Sequence, residues 1–190
     1  MTIPRPCPSV EAILKKLAPE TIRSNLVRAG LFLAGWEILK SEVQEKVRDF
    51  FLEGFDGSDF VYSARYKARV LDRHQSRFEA SLLWLVETEA LTKAQAARVR
   101  VLRDRRNEIA HELPKLLVDP DHAGVDLAVI QELKDLIGGL GVFWGHIEVD
   151  TNPYFVDQEV ADADIKSGVS ILMEHLVAAA DEAGPGNAVR

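Results

Sequence analysis

The stretch Arg103-Asp-Arg-Arg-Asn-Glu-Ile-Ala-His-Glu-Leu113 places His111 five positions after Arg106, with Asn107 directly after that arginine. Histidine gives and takes protons near neutral pH. Arginine is a permanent cation whose planar fork matches the oxygens of a phosphate. A proton-transfer group this close to a fixed cation suits phosphodiester cleavage, and the functional reading of the chain rests here.

The element that must carry these residues is a helix. On a wheel turned about 100° per residue, Val99, Leu102, Ile109, Leu113 and Leu117 fall together as a core face. Arg100, Asp104, Asn107 and His111 gather within about 60° on the opposite side. Asn107 and His111, four apart, can touch along the helix. Arg106 breaks the pattern, because it falls among Leu102, Ile109 and Leu113. An arginine there needs a carboxylate on another helix, a helix end or a cleft. Two readings stay open: an ion pair with an acid elsewhere while His111 is a surface histidine, or a face that walls a cleft between helices or subunits.

The rest of the chain reads as a helical scaffold without repeats, low-complexity segments or convincing period-two alternation. A short helix is expected from the N-cap candidate Ser9 to Leu17, and a long one from Pro19 to Leu52. Leu31, Phe32, Trp36, Leu39, Val43, Val47 and Phe50 recur at helical spacing along the long helix, while Leu26, Gly30, Leu33, Glu37 and Lys40 show that its apolar stripe drifts. Gly54 to Asp59 is a turn-rich loop. A second long helix is expected from Ser63 to Glu89. Thr92 caps the motif helix, in which Pro114 forces a kink or an end. Further helices are expected over 126–143, weakened by Gly138, Gly139 and Gly141, and over 161–182, with a break at Asp150-Thr-Asn-Pro153. The expected fold class is all-α: a single helical bundle of five or six helices with mostly antiparallel neighbours, occupying 1–190 as one domain, with flexible tails at 1–8 and 184–190.

Bulk properties narrow the function classes. At 190 residues, with 47% apolar and 28% charged residues, the chain resembles an ordinary globular domain. The proline-bearing N-terminus does not read as a secretory signal. The uncharged run Leu136–Ile147 is too short to span a bilayer, so no membrane association is expected. Cys7 alone forms no internal disulfide and fits a cytoplasmic setting. The net charge of −7 argues against a protein that simply coats nucleic acid. Yet residues 1–118 carry a balance of +4, and residues 119–190 one of −11.

Arg106-Asn107-x-x-x-His111 resembles the signature of the HEPN superfamily, an arginine followed by a polar residue and, after a short spacer, a histidine. The surrounding Arg-Arg-Asn-Glu-Ile-Ala-His-Glu is similar to its members, and the superfamily's all-helical bundles are of about this size. Phe60 to Arg69, followed by the Arg-Asn-Glu-x-Ala-His segment, is similar to mannitol-operon repressor-like proteins. The HEPN resemblance implies a metal-independent endoribonuclease of toxin or defence type, needing no cofactor. It implies a homodimer in which two motifs share one cleft, RNA as substrate and an antitoxin protein as partner. His111 would serve as general base or acid at the ribose 2′-hydroxyl or the leaving oxygen, and Arg106 would hold the scissile phosphate. Asn107 would orient the histidine or touch the phosphate. Some members only bind, so a non-catalytic binding or transcription-regulatory module is the alternative.

Arg106 and His111 lie about 140° apart on a straight helix, an awkward angle for one phosphate. Two chains about a two-fold axis, or a kink ahead of Pro114, would bring the groups together. Arg65, Arg69, Arg73 and Arg77, each four apart on the second long helix, form one slowly drifting basic stripe. With Arg100 and Arg103 they make an RNA-binding wall or a solvated face. Tyr62 and Tyr66 are candidates for base stacking or for covering a helix end. No metal site is expected: position 115 is Lys where a His-Glu-x-x-His motif needs histidine, and His74, His122, His146 and His175 show no ligand spacing.

Overall fold

The computed structural model describes residues 9–155 and 158–182. The tails expected at 1–8 and 184–190, and Cys7, lie outside them. The fold is all-α, with seven α-helices and one two-stranded sheet among the described residues.

Helix α1 (Val10–Lys16) starts at Ser9, whose hydroxyl accepts from the Ala12 N–H. Helix α2 (Pro19–Asp49) begins with proline at a position where a missing N–H costs nothing, and Lys46 and Arg48 complement the dipole at its end. Ala29, Phe32, Trp36, Leu39, Val43 and Val47 form its buried stripe at helical spacing. Helix α2 is the centre of the fold and packs on α4 (Arg77–Glu87), α5 (Lys93–Val118), α6 (Leu127–Thr151) and α7 (Gly168–Glu182). The motif helix α5 opens with a full capping box between Thr92 and Gln95.

The expected helix over 63–89 does not exist as one element. Helix α3 (Ala64–Arg69) is followed by a 3₁₀ turn at Leu71–Arg73 and an extended His74, and α4 begins anew at Arg77. The cause is local. Ser76 accepts from the Glu79 N–H as an N-cap, and the His74 ring accepts from the Ser76 N–H. Each bond holds the backbone in a non-helical turn.

The segment expected to be plain loop forms a hairpin, β1 (Leu52–Phe55) and β2 (Phe60–Tyr62), paired antiparallel. Its tip is held by Asp56, whose carboxylate accepts from the Ser58 and Asp59 N–H groups at 2.9 Å each. Gly57, at φ 103°, takes the left-handed position of this turn. Phe55 and Phe60 face each other across the strands with centroids 5.7 Å apart.

Helix α6 continues to Thr151, well past Phe143, so its glycines do not end it. Two of them allow close packing. A Cβ on Gly145 would collide with Ile165 Cγ2, and one on Gly141 would lie 2.8 Å from Ser167 Oγ. Helix α7 starts at Gly168 rather than Ala161, because residues 162–164 are a 3₁₀ turn carrying two aspartates. No helix among the described residues is long and apolar enough to cross a membrane.

Candidate functional site

Helix α5 lies against α2 and α4, burying Ala96, Val99, Leu102, Ile109 and Leu116. Arg100, Asp104, Asn107 and His111 follow the expected polar side: Arg100 is half-buried and the other three are exposed.

Arg106 sits at the seam between α5 and α2. Its Nη2 donates to Glu37 Oε1 at 2.9 Å, and Nη1 reaches Asn107 Oδ1 at 3.4 Å. The Arg106 Nε is buried with no hydrogen-bond partner. The head group is not sealed, since its side chain keeps 35% of its surface exposed. The seam is thus an ion pair at the edge of an opening, combining parts of both sequence readings.

That opening is a surface pocket of about 220 Å³ lined by Trp36, Glu37 and Lys40 of α2, Ser76 and Phe78 at the start of α4, and Arg103, Arg106 and Asn107 of α5. Three cations and an asparagine amide face it. The Trp36 and Phe78 rings, 5.7 Å apart, form its apolar side. Two carboxylates hold the cations in place. Glu37 pairs with Lys40 and Arg106; burial raises its pKa, but hydrogen bonds from both partners lower it more, so the net shift is downward. Glu79 accepts from Arg100 at 2.8 Å and Arg103 at 2.6 Å, and its pKa is likewise lowered against the opposing effect of burial. Both acids are therefore ionised at neutral pH. A phosphate entering the pocket competes with Glu37 for the Arg106 guanidinium.

His111 is exposed and lies outside this pocket. Asn107 turns its carbonyl to Arg106, not to the histidine. The Pro114 kink cannot rejoin the pair. The departure from helical geometry falls at Glu112, with φ −115° and ψ 21°. The proline ring crowds the carbonyl four residues earlier and leaves it without a donor. Glu112 lies beyond both Arg106 and His111, so the turn between them stays regular and their separation around the helix is unchanged.

The basic stripe requires correction. Arg65 and Arg69 belong to α3, Arg73 to the 3₁₀ turn and Arg77 to α4, so the four-residue spacing creates no common face. Arg69 and Arg73 both pair with Glu87. Arg65 and Arg77 have no ion pair among the described residues. Of the six arginines expected to contact RNA, Arg103 alone lines the pocket of Arg106. Tyr66 is buried in the core and is not free to stack on a base. Tyr62 lies beneath the Arg48 guanidinium, 5.5 Å from its ring centroid.

The residues absent from the sequence reading of the site are Glu37, Lys40 and Ser76. Their signal was visible: Glu37 and Lys40 interrupt the apolar stripe of α2, and Ser76-Arg-Phe-Glu79 has the spacing of a helix start. The chain matches no protein-family model, no curated protein and no solved structure.

Proposed function

We propose that this chain is a metal-independent endoribonuclease of HEPN type, acting in the cytoplasm as a homodimer with the toxin or defence role of that class. The observation that carries the reading is the cationic pocket: Arg106 and Asn107, two of the three motif residues, line it with Lys40 and Arg103. His111, the third, stands exposed on the same regular helix. With Arg106 and His111 on different sides of α5, one phosphate is served by the arginine of one chain and the histidine of the other.

In this mechanism His111 takes the proton of a ribose 2′-hydroxyl. The 2′-oxygen attacks phosphorus, the bond to the 5′-oxygen breaks, and a protonated histidine returns a proton to that leaving oxygen. The products are a 2′,3′-cyclic phosphate and a 5′-hydroxyl. Arg106 leaves Glu37 to bind the non-bridging oxygens as charge builds on them. Proton transfer by such a histidine contributes roughly 10²–10⁴ in rate. An antitoxin protein would act by covering the pocket or the dimer face.

The second reading is a non-catalytic binding or regulatory module. It is favoured by the Arg106–Glu37 pair, which offsets the arginine's charge without any ligand. Incubation with RNA in EDTA separates the two. The wild type is expected to yield cyclic-phosphate ends, and His111→Ala and Arg106→Ala each lose at least a hundredfold in rate. Equal cutting by the variants, or none by the wild type, rejects the nuclease reading. Sedimentation tests the dimer: a monomer at assay concentration rejects the shared cleft.

A further inference from the structure

The turn that follows α5 carries His122, whose side chain is only 12% exposed. Its Nδ1 lies 3.0 Å from the Ala123 carbonyl oxygen. A carbonyl can only accept, so Nδ1 carries the ring hydrogen. In the neutral ring Nε2 is then a bare lone pair. That nitrogen is buried without a hydrogen-bond partner, yet it lies 3.3 Å from Glu108 Oε1. A lone pair facing a carboxylate oxygen at this distance is relieved either by a proton on the ring or by a metal ion held between them.

Glu112 completes the group. It lies one helical turn beyond Glu108, and the ligand atoms of Glu108, Glu112 and His122 all fall within 4.8 Å of one another. Arg105 holds Glu108 Oε2 at 2.6 Å and leaves Oε1 toward the histidine; Lys115 holds Glu112 Oε1 at 2.8 Å and leaves the other oxygen. A carbonyl on the remote ring nitrogen is the usual outer partner of a metal-binding histidine.

We propose that Glu108, Glu112 and His122 bind one divalent transition-metal ion of the zinc class, which clips the turn at 119–124 onto the kinked end of α5. One nitrogen and two carboxylate oxygens are donors that zinc accepts, and water takes the fourth position. Metal–ligand bonds of about 2.1 Å set tetrahedral ligands roughly 3.4 Å apart, so from separations of up to 4.8 Å the group closes by up to about 1.4 Å. Glu112, whose side chain is 39% exposed and paired with the exposed Lys115, supplies that movement. The turn itself is held: Lys16 donates to the His122 carbonyl at 2.7 Å, and Arg105 to that of Ala123 at 3.1 Å. This inference is independent of the ribonuclease reading, whose test is run in EDTA.

The test is calorimetric titration of EDTA-stripped, desalted full chain with zinc chloride. One equivalent is expected to bind, with a higher melting temperature. His122→Ala and Glu108→Gln each weaken binding at least tenfold, while His146→Ala, at a separate histidine–aspartate pair, leaves it unchanged. Glu112→Gln, at a partly exposed position, keeps the test intact if His122→Ala fails to fold. Zinc must also shift the Nε2 resonance of His122 while its Nδ1 hydrogen remains. No stoichiometric binding, or equal binding by the correctly folded variants, overturns the proposal.

Discussion

Glu37→Gln asks whether Arg106 is an anion site held in check. In the wild type the guanidinium meets Glu37 at 2.9 Å, and Lys40 meets the same carboxylate at 3.2 Å. Both partners of the Arg106 pair are open to water, with 35% and 49% of their side chains exposed. Pairs of this kind stabilise by roughly 0–1 kcal/mol. Arg106 must give up that interaction to hold a phosphate, so the pair opposes binding by the same amount. Removing the charge strengthens RNA binding by up to about 1 kcal/mol, about fivefold in Kd. Folding stability falls by no more than that, about 2–4 °C in melting temperature for a chain of this size. If Arg106 then engages a phosphate, the slope of log K against log salt steepens by up to about 0.7 for a single strand. The assay is fluorescence anisotropy on a short single-stranded RNA with 2′-O-methyl riboses, which cannot be cut, across a salt series. Arg106→Ala added to Glu37→Gln must abolish the gain. If Glu37→Gln binds no tighter and keeps the wild-type slope, the pocket is not a phosphate site and the Arg106 pair is structural.

Glu79→Gln removes the negative charge that Arg100 and Arg103 share and turns one of its two acceptor oxygens into a donor. The pair is intermediate between exposed and buried, so the cost at neutral pH is about 2 kcal/mol. The two arginine hydrogen bonds outweigh burial and depress the Glu79 pKa below its usual 4.5. Its stabilisation is therefore complete above the unfolded value and is lost as pH falls through the folded one. Denaturant unfolding should show wild type and variant converging in acid, and a constant difference refutes the account. Glycine substitutions in α6 are expected to act with opposite signs. Gly139→Ala meets nothing within 4 Å and gains about 0.5–1 kcal/mol of helix propensity. Gly145→Ala drives a methyl into the stiff Ile165 side chain and loses about 1–2 kcal/mol net. Thermal melts that move both variants in one direction contradict the close approach of residue 165 to α6.

The helices legible in the sequence are those with strong local signals. Ser9, Pro19, Thr92 and Asp126 start α1, α2, α5 and α6 close to where the capping pattern puts them. The hairpin was not legible because its strands are short and nearly all their residues are exposed, so neither face imposes alternation. The four-residue arginine spacing misled for a related reason. Periodicity has meaning only inside one helix, and the local hydrogen bonds at Ser76 hold a non-helical turn between α3 and α4. Glycine content also misled in α6, because Gly141 and Gly145 serve packing against 165–170, a contact invisible to local propensity.

By itself the sequence determined the helical character of the chain, the motif on α5 and the anomaly of Arg106. All three follow from residue type and the 3.6-residue period, which are local properties. Tertiary structure decided what the anomaly becomes. Only the packing of α2 and α4 on α5 could bring Glu37, Lys40 and Ser76 to Arg106 and open a pocket there. The carboxylates that neutralise the arginines, and the imidazole that meets Glu108 and Glu112, likewise come from distant positions. Coulombic attraction and ligand geometry act through space, so spacing along the chain can mark Glu37 as out of place in its stripe but cannot name its partner.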